Sequence, residues 1–385
     1  MKRILLLGAS GSIGSQTLDV IRENHGTYEL TAFSVGHQAE KAEEIVANFP
    51  TVTAVCFQNQ EDADAFASEH EWLKVYAGDE GLCQIIEDTE VEMVVNALVG
   101  FVGLAPTLKA LECNRILATA NKESLVVGGK LINDLLDAGH GKVLPIDSEH
   151  VGVSKLLRKA KGKKIYKIHL TASGGALRDL PVDELEFATP EQALAHPNWQ
   201  MGEKITIDCA TMMNKGFELI EACVLFRRPM EDFAILMHDE SMVHAAIQYT
   251  NNRYLCDIST PDMHGPIAYA LAEGNVKYKV KSVRALWKLK KLHFHDFDPE
   301  RYPCVDLAKR AYEMGGNALA VLNAANEVAV SAFLAGQIRF TDIAGEVAVA
   351  LRKIPHLDDA PYEELVVTDK MTRAFVEERI RLGLQ

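Results

Sequence analysis

Three acidic side chains are the first candidates for chemistry. Pro145-Ile146-Asp147-Ser148-Glu149-His150 follows an apolar run. At a strand end, side chains two apart face the same way, so Asp147 and Glu149 can converge on one cation. Downstream, Thr211-Met212-Met213-Asn214-Lys215-Gly216-Phe217-Glu218 reads as one helix, placing Asn214 four residues and Lys215 three residues before Glu218 on a shared face. Glu218 can supply the third carboxylate. Such a set, with no Cys and no obligatory His, offers hard oxygen donors suited to Mg²⁺ or Mn²⁺ rather than structural zinc. Taken one at a time, each acid reads more simply as a solvated turn residue.

A second kind of chemistry belongs to Gly8-Ala9-Ser10-Gly11-Ser12-Ile13-Gly14, which follows the apolar run Ile4 to Leu7 and opens a helix with Ile13, Thr17, Val20 and Ile21 on one face. Glycines at such a turn bring backbone N–H groups against a pyrophosphate at the positive helix end. The spacing is G-x-x-G-x-x-G rather than G-x-G-x-x-G, so the alternative is an ordinary glycine-rich α/β turn. About 20 residues on, an NAD site would offer an acid to the ribose 2′-hydroxyl. Here the chain reads Ser34-Val35-Gly36-His37-Gln38, with no acid. That favours a 2′-phosphate and NADP, with Ser34, His37 and Gln38 as donors, although no Arg or Lys is present. Thr171-Ala172-Ser173-Gly174-Gly175 reads as an anion nest or a tight turn. His196-Pro197-Asn198-Trp199-Gln200-Met201-Gly202 reads as a flap, or as a segment whose Trp is core.

The elements that must hold these residues follow from periodicity. To about Asp147, short aliphatic runs at Ile4–Leu7, Leu30–Val35, Val52–Phe57, Val91–Ala97, Ile116–Ala120 and Val143–Ile146 alternate with helical stretches, the pattern of a Rossmann-like parallel sheet. Residues 148–284 mix helices, an apolar strand Ile165–Leu170 and a hairpin turn at Asn251-Asn252, as expected of an α+β catalytic, metal-binding domain with a flap. Residues 285–304 read as a connecting arm and 305–385 as a helical bundle. With 385 residues, 48% hydrophobic and net charge −14, the chain has the composition of a folded protein of several cores that repels nucleic acid and anionic membrane. Seven scattered cysteines without a C-x-x-C pair argue for a reducing compartment, and the short apolar start reads as a strand rather than a leader. The cytoplasm is the expected location.

Together these segments, with Ala120-Asn121-Lys122-Glu123, Pro261-Asp262-Met263 and Leu322-Asn323-Ala324-Ala325-Asn326-Glu327, resemble the 1-deoxy-D-xylulose 5-phosphate reductoisomerase family across nearly the whole chain. The resemblance implies rearrangement of 1-deoxy-D-xylulose 5-phosphate and reduction by NADPH to 2-C-methyl-D-erythritol 4-phosphate, in non-mevalonate isoprenoid biosynthesis. It implies Asp147, Glu149 and Glu218 as ligands of Mg²⁺ or Mn²⁺, with Co²⁺ also possible, and Lys122 as a residue reaching substrate beside the metal. Ser148, Glu149, Ser173, His196, Trp199, Cys209, Asn214, Lys215 and Glu218 would contact the phosphorylated sugar. Gly8, Ala9, Ser10, Gly11, Ser12, Ile13, Gly36, His37, Gln38, Asn121, Glu123, Gly202 and Met263 would contact the cofactor. His150 and His244 also match family positions, with structural histidines as the alternative. A homodimer is implied as well.

Several residues depart from the family pattern. Cys209 stands where Ser is usual and donates hydrogen bonds only weakly. Glu203 replaces a basic residue, Ala176-Leu177 replace Pro-Phe, Asp239-Glu240 replace Pro-Gln, and Gln38 replaces Asn. Two rival readings stay open: another NADP-dependent oxidoreductase acting on a phosphorylated aldehyde or ketone, and a non-catalytic NADP-binding protein.

Overall fold

The computed structural model describes residues 1–275 and 291–384. Its first sheet is parallel throughout, with strands β1 (Lys2–Leu7), β2 (Tyr28–Ser34), β3 (Ala54–Phe57), β4 (Lys74–Ala77), β5 (Met93–Asn96), β6 (Ile116–Thr119) and β7 (Lys142–Pro145) in the order β4-β3-β2-β1-β5-β6-β7. Ile4 to Leu7 have no exposed surface, because a central parallel strand is covered on both faces. The order reverses beside β1, which pairs with β2 on one side and β5 on the other. Ligands of open α/β sheets bind at that reversal, at the carboxyl ends of the strands.

Periodicity accounts for six of these strands and misses β4. Lys74-Val75-Tyr76-Ala77 is a short edge strand with no fully buried residue, so it carries no continuous apolar signal. A second difference concerns Asp147. Strand β7 stops at Pro145 and a helix runs Ser148–Lys159, so Asp147 and Glu149 are not strand neighbours. Asp147 instead caps the helix, its Oδ1 accepting from the backbone N–H groups of Glu149 and His150 at 3.1 and 3.3 Å.

The chain divides into two compact units. The first comprises Met1–Ser124, Gly128–Val151 and a segment starting at Asp262. Helix His264–Leu271, placed by periodicity among residues 148–284, thus belongs with the first sheet. It is apolar nearly all round, and Ile267 and Leu271 lie in the same core as Leu18 and Ile21. Lys2 anchors it, donating to the Leu271 carbonyl at 3.0 Å and pairing with Glu273 at 2.8 Å.

The second unit comprises Leu125–Val127, Gly152–Pro261 and the C-terminal stretch. Its mixed sheet contains β8 (Ile165–Ala172), β9 (Phe233–His238), β10 (Val243–Tyr249), β11 (Tyr254–Ile258) and β12 (Phe294–His295), ordered β11-β10-β8-β9-β12. The β10–β11 hairpin turns where Asn251-Asn252 predicts it, with Asn252 in the left-handed region. Residues 276–290, including the start of the expected arm, lie outside the described residues. Helices Pro303–Met314, Ala318–Leu334, Asp342–Lys353 and Tyr362–Arg381 form the expected C-terminal bundle, with Val321, Leu322, Ala325, Val347 and Val376 in its core. Among the described residues no helix is long and apolar enough to cross a membrane.

Candidate active site

The glycine turn is built to bring backbone close to a ligand. Gly8 has φ +80°, and a Cβ there would lie 2.7 Å from the Ala97 carbonyl oxygen, so only glycine fits between β1 and β5. At Gly14 a Cβ would collide with Gly8 O and the Ala9 backbone, because helix Ser12–Glu23 packs directly on the turn. That helix begins after Gly11 with no side-chain cap and no acid in its first turn. Its first N–H groups and positive dipole end are therefore available to an anion. Ala9, Ser10, Ser12 and Ile13 line this turn.

Ser34 holds the glycine turn. Its hydroxyl is buried and accepts from the Gly8 N–H at 2.8 Å, bracing the turn. Gly36, His37 and Gln38 remain at the end of β2. A carboxylate is also present there: Asp62 Oδ2 lies 2.9 Å from His37 Nδ1, contributed by the following β-α unit. The local sequence after β2 could not show it.

Asn121 and Glu123 follow β6. The Asn121 amide donates to the carbonyls of Leu98 and Gly100, both at 3.0 Å, and its Oδ1 accepts from the Ser124 N–H at 3.0 Å. With its amide so committed, Asn121 fixes the shape of this turn. Lys122 starts the next helix, and its ammonium pairs with Asp147 Oδ2 at 3.1 Å, both side chains largely buried. Asp147 Oδ1 is 2.9 Å from His150 Nδ1, and Ser148 donates to Glu149 Oε2 at 2.6 Å. The first unit thus holds a lysine and two carboxylates, oriented by a fully buried histidine and a serine. Met263 is half-buried against the core of the same unit.

In the second unit the anion-type turn and the flap are joined. Gly174 and Gly175 both have positive φ, and a Cβ on Gly175 would lie 2.6 Å from the Ala210 nitrogen. The turn therefore lies flat on helix Glu203–Thr211, which carries half-buried Cys209 and begins after Gly202. His196 Nε2 is 3.0 Å from Ser173 Oγ, while Nδ1 faces the backbone N–H groups of Asn198 and Trp199 at 3.2 and 3.0 Å. Two donors on Nδ1 place the ring proton on Nε2, which donates to Ser173. The Ser173 hydroxyl also accepts from the Gly175 N–H at 3.2 Å, leaving its own proton to give to a ligand oxygen. Burial and the nearby Arg178 guanidinium push the His196 imidazole down to about 4, keeping it neutral. Trp199 meets His244 edge-on, with ring centroids 6.3 Å apart.

The expected single helix through Asn214 is in fact two, Glu203–Thr211 and Met213–Phe226, separated by Met212 at φ +60°. The break re-aims the second helix, yet the spacing argument holds within it. Asn214 donates to Glu218 Oε1 at 2.5 Å and Lys215 pairs with Oε2, all three side chains being buried. A carboxylate this deep requires a cation, which Lys215 supplies.

Sequence reasoning missed several supporting residues. Arg178 donates to the carbonyls of Ser173 and Asp239 at 3.1 Å, Asn198 donates to Asp239 O at 2.6 Å and Ser241 Oγ at 2.9 Å, and Tyr302 donates to Gly174 O at 3.2 Å. These bonds join segments up to 128 residues apart, and no local pattern announces them.

A switch-point glycine turn on a parallel sheet, together with carboxylates paired to buried lysines, defines a dinucleotide-dependent α/β enzyme. Comparison with known proteins narrows the class. Family models described as 1-deoxy-D-xylulose 5-phosphate reductoisomerase match residues 4–129, with its C-terminal domain models at 143–226 and 258–375. The chain belongs to this family. A reductoisomerase from Halalkalibacterium halodurans is 41% identical, the match covering 99% of this chain and 100% of that one. Its counterpart from Geobacillus sp. is 43% identical over 98% and 99%. Among solved structures, a DOX-P reductoisomerase in complex with NADPH, fosmidomycin and magnesium superposes with TM-score 0.93 at 34% identity over the full length of both chains. The Zymomonas mobilis enzyme in complex with NADPH gives 0.89 at 32% identity over 98% and 99%.

Proposed function

We propose that this chain converts 1-deoxy-D-xylulose 5-phosphate, NADPH and a proton into 2-C-methyl-D-erythritol 4-phosphate and NADP⁺, using a divalent cation. The observation that carries the reading is the character of its acids: Glu218 is buried and Asp147 and Glu149 are half-buried, among lysine, histidine, serine and asparagine partners. Solvated turn residues would not be. The three supply only hard oxygen donors, which fits Mg²⁺ or Mn²⁺. Bound there, the cation supplies Lewis acidity to adjacent substrate oxygens while carbon connectivity changes, and NADPH supplies the hydride.

The chain's own residues supply position and charge. Gly8 to Ile13 hold the pyrophosphate, with Gly36, His37 and Gln38 at the adenosine ribose and Asn121, Glu123, Gly202 and Met263 toward the nicotinamide half. Lys122 brings positive charge to substrate beside the carboxylates. Ser148, Ser173, His196, Cys209, Asn214 and Lys215 hold the sugar and its phosphate, His196 doing so as a neutral N–H donor. Trp199 closes over substrate and excludes water. In this reading residues 152–261 carry the substrate-holding turn and flap, 305–384 are helical support, and the enzyme is a cytoplasmic homodimer. The test follows NADPH oxidation: absorbance falls only when pentulose phosphate and a divalent cation are both present. Turnover that persists after thorough chelation would contradict the metal role.

A further inference from the structure

The carboxylate at the end of β2 changes what the 2′ end of the cofactor site can read. Strands β2 and β3 are neighbours, and their following turns are locked together by Val35 N–H to Cys56 O at 3.0 Å and Gln58 N–H to Gly36 O at 3.2 Å. Asn59 caps helix Gln60–Glu69, its Oδ1 accepting from the Asp62 N–H at 2.8 Å. This places Asp62 Oδ2 at 2.9 Å and Asn59 Nδ2 at 3.0 Å from His37 Nδ1. Nδ1 thus faces an acceptor on Asp62 and a donor on Asn59, and Nε2 is left for a ligand. His37 is exposed, as a residue at a cofactor rim must be. Lys41, the nearest basic residue along the chain, is occupied by Glu44 at 2.8 Å.

We propose that Asp62 is a specificity-determining residue that lowers discrimination for the 2′-phosphate, so that the chain binds NADH as well as NADPH. His37 presents Nε2 to a group at the ribose 2′ position. The Asp62 charge repels the phosphate but not the hydroxyl. This rests on the cofactor reading above and sharpens it: a family trait, use of NADPH, is held here by a histidine and opposed by an acid.

The experiment titrates the full-length chain with NADPH and with NADH, following nicotinamide fluorescence in the absence of pentulose phosphate. The unaltered chain binds both. Asp62→Asn keeps the backbone cap on Asn59 and raises the NADPH-to-NADH affinity ratio by about tenfold, by tightening the first. Asp62→Ser does the same, and His37→Lys also raises the ratio. Thermal unfolding reports that each variant is folded. A ratio unchanged or lowered in both Asp62 variants would overturn the assignment to Asp62 alone, whereas an unaltered chain that binds neither nucleotide would overturn the cofactor reading beneath it.

Discussion

Glu218 shows how little a candidate acid says until its surroundings are known. In the sequence it is one of 54 acidic residues, singled out by its spacing from Asn214 and Lys215. In the fold it is almost wholly buried, with an amide on one oxygen and an ammonium on the other. Glu218→Gln keeps the shape and removes the charge, so kcat in the metal-dependent assay is expected to fall about a hundredfold. Unchanged turnover, in a variant with normal thermal unfolding, would remove Glu218 from the site. His196 gives a second expectation at this scale. Its folded-state value of about 4 lies below its ordinary 6.5, so the proton prefers the unfolded chain. The stabilisation is complete above pH 6.5 and is lost as pH falls from 6.5 toward 4. The unfolding temperature of the native protein should therefore drop more between pH 7.5 and 5 than that of His196→Gln, and parallel curves would contradict the assignment. Asp147, Glu149, Ser173, His196 and Glu218 stand out in the sequence through short motifs. Asp62, Arg178 and Asn198 could not, because their partners lie on other elements.

At the level of elements, the glycine turn was legible because backbone geometry restricts residue type. Gly8 needs a positive φ against Ala97, and Gly14 has no room for a Cβ. Gly14→Ala should cost about 2 kcal/mol of stability and weaken NADPH binding severalfold, read by denaturant unfolding and fluorescence titration. An alanine variant with native affinity would show that close packing of turn and helix is not what shapes the cofactor site. Boundaries were less legible. Asp147 looks like a strand residue until Pro145 ends β7 and the next helix takes Asp147 as its cap. Met212 lies inside an apparently continuous helical pattern, yet adopts φ +60° and divides it in two. Such breaks are imposed by tertiary packing, which local propensity does not encode. Strand β4 escaped for the opposite reason, having too little buried surface to leave a pattern.

Across the whole molecule, three features of the chain were readable in order: a parallel sheet, an α+β segment, then helices. The return of His264–Leu271 to the first unit was not, since an apolar helix announces that it will be buried but not where. The proposed homodimer of 42.4 kDa chains should show about twice that mass by light scattering, and a strictly monomeric mass at assay concentration would contradict that part of the proposal. The central claim is that one site both rearranges a carbon skeleton and reduces it. Its most direct test supplies carbon-13-labelled 1-deoxy-D-xylulose 5-phosphate with NADPH and Mg²⁺ and reads carbon–carbon connectivity in the product by NMR. A branched polyol phosphate is expected, with one NADPH consumed per product. A straight-chain reduced sugar phosphate, or cofactor binding without product, would contradict it.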